Sequence, residues 1–168
     1  MKQIPSVHQG LSSAFEVKSD NQKLEKTYRG VNGPDSFDKI SEGESTSDTG
    51  YLSTSRKFQV AQRFSKSLSA ETRGSISVIF GKSGMDISDA SMFNNSESEV
   101  LYRNNTEMTL LFSGINKKDV KFRVLQEKNL PDETGTEKRL VDALDLNISN
   151  LMINTNRSLL KILFKRLF

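Results

Sequence analysis

The sequence predicts an α+β fold, and three observations predict it. Short β-prone segments bounded by Gly, Ser and Asp crowd the middle of the chain. One stretch with helical spacing separates the second of them from the third. The chain beyond residue 131 reads as helix. A length of 168 residues with 35% hydrophobic side chains suits one compact core. That core is expected over residues 1–130, with a short N-terminal segment 1–23 and a C-terminal helical extension 131–168 packed on the same domain.

Each element follows from its local pattern. Residues 1–23 are polar and Ser-rich, with weak helical character over 11–17. Residues 24–31 (LEKTYRGV) read as a strand. Residues 32–50 form a long polar loop interrupted by Phe37 and Ile40, with room for one helical turn. Gly50 opens a short strand over 51–55. Phe58, Ala61 and Phe64 then recur at helical spacing, which predicts a helix over 57–68. SISVIF at 75–80 is a strand, and 81–95 is a Gly/Ser/Asp-rich connection. Strands follow at 98–102, 109–112 and, by clean alternation, 120–126. Pro131–Gly135 punctuates the chain before helices at 137–153 and 157–168.

Composition excludes several chemistries. The chain has no Cys, so it has no disulfide, thiol nucleophile or cysteine-ligated metal. Its one histidine, His8, rules out a histidine-rich metal site. The net charge of +3 is local: Arg157, Lys161, Lys165 and Arg166 lie in a C-terminal stretch without acids, and the rest of the chain is near neutral. That is not a nucleic-acid-binding composition. SLLKILFKRLF at 158–168 is a basic, apolar helix that is open to two readings, packing on the core or meeting an anionic membrane, and packing is the favoured one. Residues 1–10 lack the apolar stretch of a secretory leader.

Four patterns are candidates for chemistry. Gly81-Lys82-Ser83 imitates the end of a phosphate loop, but Ile76 stands where the required earlier glycine would be. Glu97 and Glu99 are two apart at the start of a strand. They would share a face roughly 6.5–7 Å apart, which suits stabilising positive charge at a sugar carbon. The same spacing also marks an ordinary solvated strand face. Ser53-Thr54-Ser55 offers hydroxyls at alternate strand positions that can fix a neighbouring carboxylate. Arg29-Gly30 ends a strand with a planar fork for phosphate oxygens and a residue that permits close approach.

In their order along the chain, Arg29, then Ser53-Thr54-Ser55, then Glu97-Ser98-Glu99, the patterns reinforce one another. With Gly50, Phe58, Ala61, Gly84-Met85-Asp86-Ile87-Ser88 and Ser91-Met92-Phe93 as context, residues 24–126 resemble the mono-ADP-ribosyltransferases of the Arg–Ser–Glu class, the clostridial-toxin-like group. The resemblance implies two small packed β-sheets with flanking helices and a cleft between them for NAD, the substrate that supplies ADP-ribose, with no metal. It implies Glu99 as the catalytic carboxylate, Glu97 as the group that orients or deprotonates the acceptor, and Ser53 as the hydrogen-bond donor that holds Glu99. Arg29 and Gly30 would bind the diphosphate and the nicotinamide amide, and Thr54 and Ser55, also counted with the cofactor-binding residues, would support the strand that carries Ser53. Phe64 and Arg73 fall near the family's phosphate–nicotinamide loop, although Phe64 equally reads as a core anchor. Phe93 lies where the family recognises its target, or else anchors a loop.

The resemblance further implies transfer of ADP-ribose from NAD to a side chain of a host protein, with Arg favoured as acceptor and Thr or another open. NAD glycohydrolysis and a non-catalytic binding module are the alternatives. The expected setting is a monomeric effector delivered by a specialised secretion system into the host cytosol.

Overall fold

The computed structural model of the chain describes residues 23–66, 74–88, 98–115, 120–130 and 133–145. The strands are β1 (Glu25–Val31), β2 (Ser45–Ser47), β3 (Leu52–Ser55), β4 (Ser75–Gly81), β5 (Met85–Asp86), β6 (Glu99–Tyr102), β7 (Glu107–Ile115) and β8 (Lys121–Glu127). Helix α1 spans Phe58–Phe64, helix α2 spans Glu133–Asp145, and a 3-10 turn occupies Ser36–Lys39. The class is α+β, as the sequence predicts.

The strands hydrogen-bond in the order β2-β7-β8-β4-β1-β3-β6-β5. The ladder is pinched at one place: β1 and β3 register only at Tyr28↔Ser55, whereas β1 and β4 pair over seven positions. The sheet therefore behaves as two wings, β2-β7-β8-β4-β1 and β3-β6-β5, joined at a narrow waist. Beyond Tyr28 the strands part, and a cleft opens between Arg29-Gly30 and Ser53-Thr54. Seven consecutive buried residues mark β4 as an interior strand of the larger wing. It is fully covered because hydrophobic residues lie on both faces.

On one face Tyr28, Val78, Phe80, Phe112, Phe122 and Val124 form a core closed by Ala61 of α1 and by Leu140 and Ala143 of α2. On the other, Ile79, Leu125, Leu110, Val100 and Tyr102 pack with Phe37 from the 3-10 turn. That turn is tied down by Arg123, which is 1% exposed and bonds Asp35 at 3.3 Å and also Asp38. Burial alone would raise the Asp38 carboxyl, but the hydrogen bond from Lys121, the Asp35 N–H and the Arg123 charge together bring it below its usual value.

Several local expectations are corrected by tertiary context. Part of the predicted 32–50 loop is β2, an edge strand whose Ser-Thr-Ser sequence carries no apolar alternation; its Ser45 hydroxyl pairs with that of Thr109 at 2.8 Å. Two residues of the 81–95 connection form β5. β7 extends well beyond the predicted 109–112, because β8 offers it a long partner. Helix α2 begins at Glu133, so Gly135 lies within a helix rather than in a terminating turn. The imitation phosphate loop is occupied internally: the N–H groups of Lys82 and Ser83 both donate to Glu127 Oε2, at 2.7 and 3.1 Å. The predicted helices at 11–17 and 157–168 lie outside the described residues.

Candidate active site

The cleft at the waist, about 310 Å³, is lined by Tyr28, Arg29, Gly30, Ser53, Thr54, Ser55, Val60, Ala61, Phe64 and Glu99. Its volume lies at the small end of ligand pockets. Seven of the residues singled out from the sequence thus meet in one place. Glu97, Arg73 and Phe93 lie outside the described residues.

Strand register explains the central contact. β3 and β6 run antiparallel, with Ser53 opposite Leu101 and Ser55 opposite Glu99. Ser53 and Glu99 are therefore diagonal neighbours on one face, within reach of a short side chain meeting a long one. The Ser53 hydroxyl donates to Glu99 Oε1 at 2.6 Å, the short length expected when the acceptor is charged. Ser53 is exposed and Glu99 half-buried, and the other carboxylate oxygen has no hydrogen-bond partner among the described residues, which leaves it to a ligand in the cleft.

The neighbouring hydroxyls act within the fold. Thr54 is 4% exposed and donates to the carbonyl of Val100 at 2.7 Å, which locks β3 to β6. Ser55 Oγ accepts the N–H of Lys57 at 2.9 Å, at the entry to α1. Both residues line the cleft and hold its wall.

Arg29 reaches the cleft from β1. Its Nη1 donates to the Ser53 carbonyl at 3.4 Å, and its Nη2 stands 3.8 Å from Asp48 Oδ2. Its Nε is buried without an acceptor among the described residues. No pattern in the sequence singles out Asp48, whose proximity depends on the path of the polar loop.

Gly30 has a demonstrable reason to be glycine. A Cβ there would stand 1.9 Å from the Ala61 carbonyl oxygen, so α1 crosses directly over the β1 backbone. Tyr28 completes this contact with an edge-to-face approach to Phe58, ring centroids 5.5 Å apart. Phe58 and Ala61 anchor the helix, whereas Phe64 is 54% exposed at the cleft and is not a core residue. Ala61, which the sequence offers only as a helix-face residue, also lines the cleft, as does Val60, which no pattern in the sequence singles out.

The other carboxylate loop shows an unexpected feature. β6 begins at Glu99, and Ser98 has φ +47. The backbone leaves extended geometry at Ser98, and the expected sharing of one face by Glu97 and Glu99 involves a residue outside the described ones. The turn is held from three sides. The Arg56 N–H donates to the Ser98 carbonyl at 3.1 Å, the Ile87 N–H donates to the Glu99 carbonyl at 3.1 Å, and the Arg56 guanidinium bridges Asp86 and Glu25 at 2.6 and 3.0 Å. Among the described residues no three potential metal-ligating side chains gather.

Comparison with known proteins gives the arrangement a context. The model of the family described as ADP-ribosyltransferase exoenzyme matches residues 3–147. The ADP-ribosyltransferase toxin AexT of Aeromonas salmonicida is 44% identical over 140 residues, 83% of this chain and 28% of the toxin. The secreted exoenzyme S of Pseudomonas aeruginosa is 41% identical over 140 residues, 83% of this chain and 29% of that protein. A crystal structure of exoenzyme S, in complex with human 14-3-3 protein beta and bound to carba-NAD, superposes with a TM-score of 0.67 at 39% identity, covering 82% of this chain and 65% of that one. The chain spans less than a third of the length of these curated relatives.

Proposed function

Because the chain belongs to the ADP-ribosyltransferase exoenzyme family, we propose that it is an NAD-dependent protein mono-ADP-ribosyltransferase of the Arg–Ser–Glu class. The observation that carries this reading is the 2.6 Å hydrogen bond from Ser53 to Glu99 in the cleft that Arg29 enters from another strand.

The chemistry asks little of the protein beyond placement and charge. Nicotinamide departs as a neutral molecule, so no general acid is needed, and the bond that breaks leaves a cation-like ribose. Glu99 stabilises that cation through its free oxygen, and Ser53 holds the carboxylate in a fixed rotamer so that little reorganisation accompanies the reaction. Arg29 binds the diphosphate through the planar fork of its guanidinium. Gly30 contributes its backbone at the nicotinamide end. Thr54 and Ser55 support β3. Phe64 and Arg73 flank the ligand, Glu97 orients or deprotonates the acceptor, and Phe93 meets the target.

The acceptor is a side chain of a host protein, with Arg favoured. The setting is a secreted effector delivered by a specialised secretion system into the host cytosol, acting as a monomer. Relatives bearing the names toxin and secreted exoenzyme support that setting, and a relative captured with a human protein and an NAD analogue supports both partners.

The test incubates labelled NAD with host-cell lysate and compares the wild-type chain with Glu99→Ala. Labelled protein is expected only with the wild type, and equal labelling by both rejects the assignment. Release of free ADP-ribose without labelled protein would identify an NAD glycohydrolase. Failure to bind NAD in a calorimeter would identify a non-catalytic module.

A further inference from the structure

The arginine of the cleft is supported from outside the cleft. Arg29 registers with Ser77 across β1 and β4, and Ser77 with Arg123 across β4 and β8. Residues in lateral register project from the same face. The polar segment after β1 crosses above this row. Arg123 holds Asp35 at 3.3 Å. The Ser36 hydroxyl lies 3.3 Å from Asp35 Oδ1 and 3.2 Å from Asp48 Oδ2. Asp48 Oδ1 accepts the Gly50 N–H at 2.9 Å. Asp48 Oδ2 then faces Arg29 Nη2 at 3.8 Å. Both carboxylate oxygens face donors of their own loop, independently of Arg29: Oδ1 the Gly50 N–H, and Oδ2 the Ser36 hydroxyl, whose single proton Asp48 shares with Asp35. Asp48 is therefore a stationary negative post, and its side chain is only 27% exposed.

We propose that Asp48 is a positioning residue for NAD, one that acts through Arg29. This rests on the reading that Arg29 holds the diphosphate. Arginine has many rotamers, and ordering it during binding lowers affinity. With the Asp48 post on one side and the Ser53 carbonyl 3.4 Å away on the other, the fork is oriented before the ligand arrives. Asp48 cannot take up the guanidinium's full bonding capacity: 3.8 Å is longer than a hydrogen bond, and Nε has no partner among the described residues.

Asp48→Asn keeps an oxygen for the Gly50 N–H but removes the charge. It is expected to weaken NAD binding and raise the KM for NAD roughly three- to tenfold, with kcat changed less than about twofold. In an Arg29→Ala background the same substitution is expected to change NAD affinity by less than about twofold, since the group it acts through is gone. NAD titration of the whole chain and steady-state kinetics read both quantities. An unchanged or lowered KM in Asp48→Asn, with Arg29→Ala still impaired, overturns this proposal alone. An equal loss in both backgrounds assigns Asp48 a merely structural role and also overturns it. Normal NAD binding by Arg29→Ala overturns the underlying reading and this proposal with it. Should Asp48→Asn melt below the assay temperature, Ser36→Ala removes one fixing donor and keeps the carboxylate. Its expected KM rise is about two- to fivefold, again lost without Arg29, and no rise overturns the proposal.

Discussion

Ser53 and Glu99 are 46 residues apart in the chain and 2.6 Å apart at their side-chain oxygens. The bond is diagonal across the β3–β6 ladder, so it depends on a register in which Ser55, not Ser53, stands opposite Glu99. Ser53→Ala is expected to lower kcat roughly 10- to 100-fold while leaving NAD affinity within a few-fold, and Glu99→Gln to lower kcat by roughly 10²–10³. Combining the two should cost little more than Glu99→Gln alone, because the hydroxyl acts only through the carboxylate. Single-turnover labelling of an acceptor protein measures all three, and simple additivity would separate the two residues functionally.

Gly30→Ala tests the contact between β1 and α1. Relieving a 1.9 Å approach to a backbone oxygen requires the helix to move. A loss of about 2–4 kcal/mol in denaturant unfolding is expected, with weakened NAD binding, because Val60, Ala61 and Phe64 of the same helix line the cleft. A variant with the wild-type midpoint would show that the helix shifts at no cost.

Arg123→Met should destabilise the fold by about 3–5 kcal/mol, since it strands the Asp35 carboxylate, whose side chain is 1% exposed. Adding Asp35→Asn removes that stranded charge and is expected to recover part of the loss. Thermal or urea unfolding of both variants checks the pair.

The clasp between β5 and the strand-to-helix turn has a pH signature. The N–H and hydroxyl of Ser88, with the Arg56 guanidinium, lower the Asp86 pKa to about 2 from an ordinary 3.8. A folded-state pKa below the unfolded one contributes stability that is present above about pH 4 and lost as pH falls through about 2. The stability gap between the wild type and Asp86→Asn should therefore be constant from pH 7 to 4.5 and narrow from pH 4 to 2. A gap that stays flat to pH 2 would mean the carboxylate is not held in this way. The 44% exposure of the side chain keeps the effect modest.

The sequence by itself determined what depends on neighbours along the chain. Alternation in 75–80 and 120–126 marks two central strands, and the spacing of Phe58 and Ala61 marks the helix that closes the cleft. The order Arg29, Ser53, Glu99 names three residues that line one cleft. Only the tertiary structure decided what depends on the lateral placement of distant segments. This includes the single-pair waist between β1 and β3, the diagonal reach of Ser53 to Glu99, the helix backbone over Gly30 and the path that brings Asp48 to Arg29. The turn at Ser98 belongs to the same group: its left-handed backbone is imposed by bonds from Arg56 and from Ile87 beside it, so strand alternation could not foresee it. Local pattern reports which face of an element is apolar. Register, crossing angle and loop path are set by packing energies summed over the whole sheet, and no short window of sequence holds that sum.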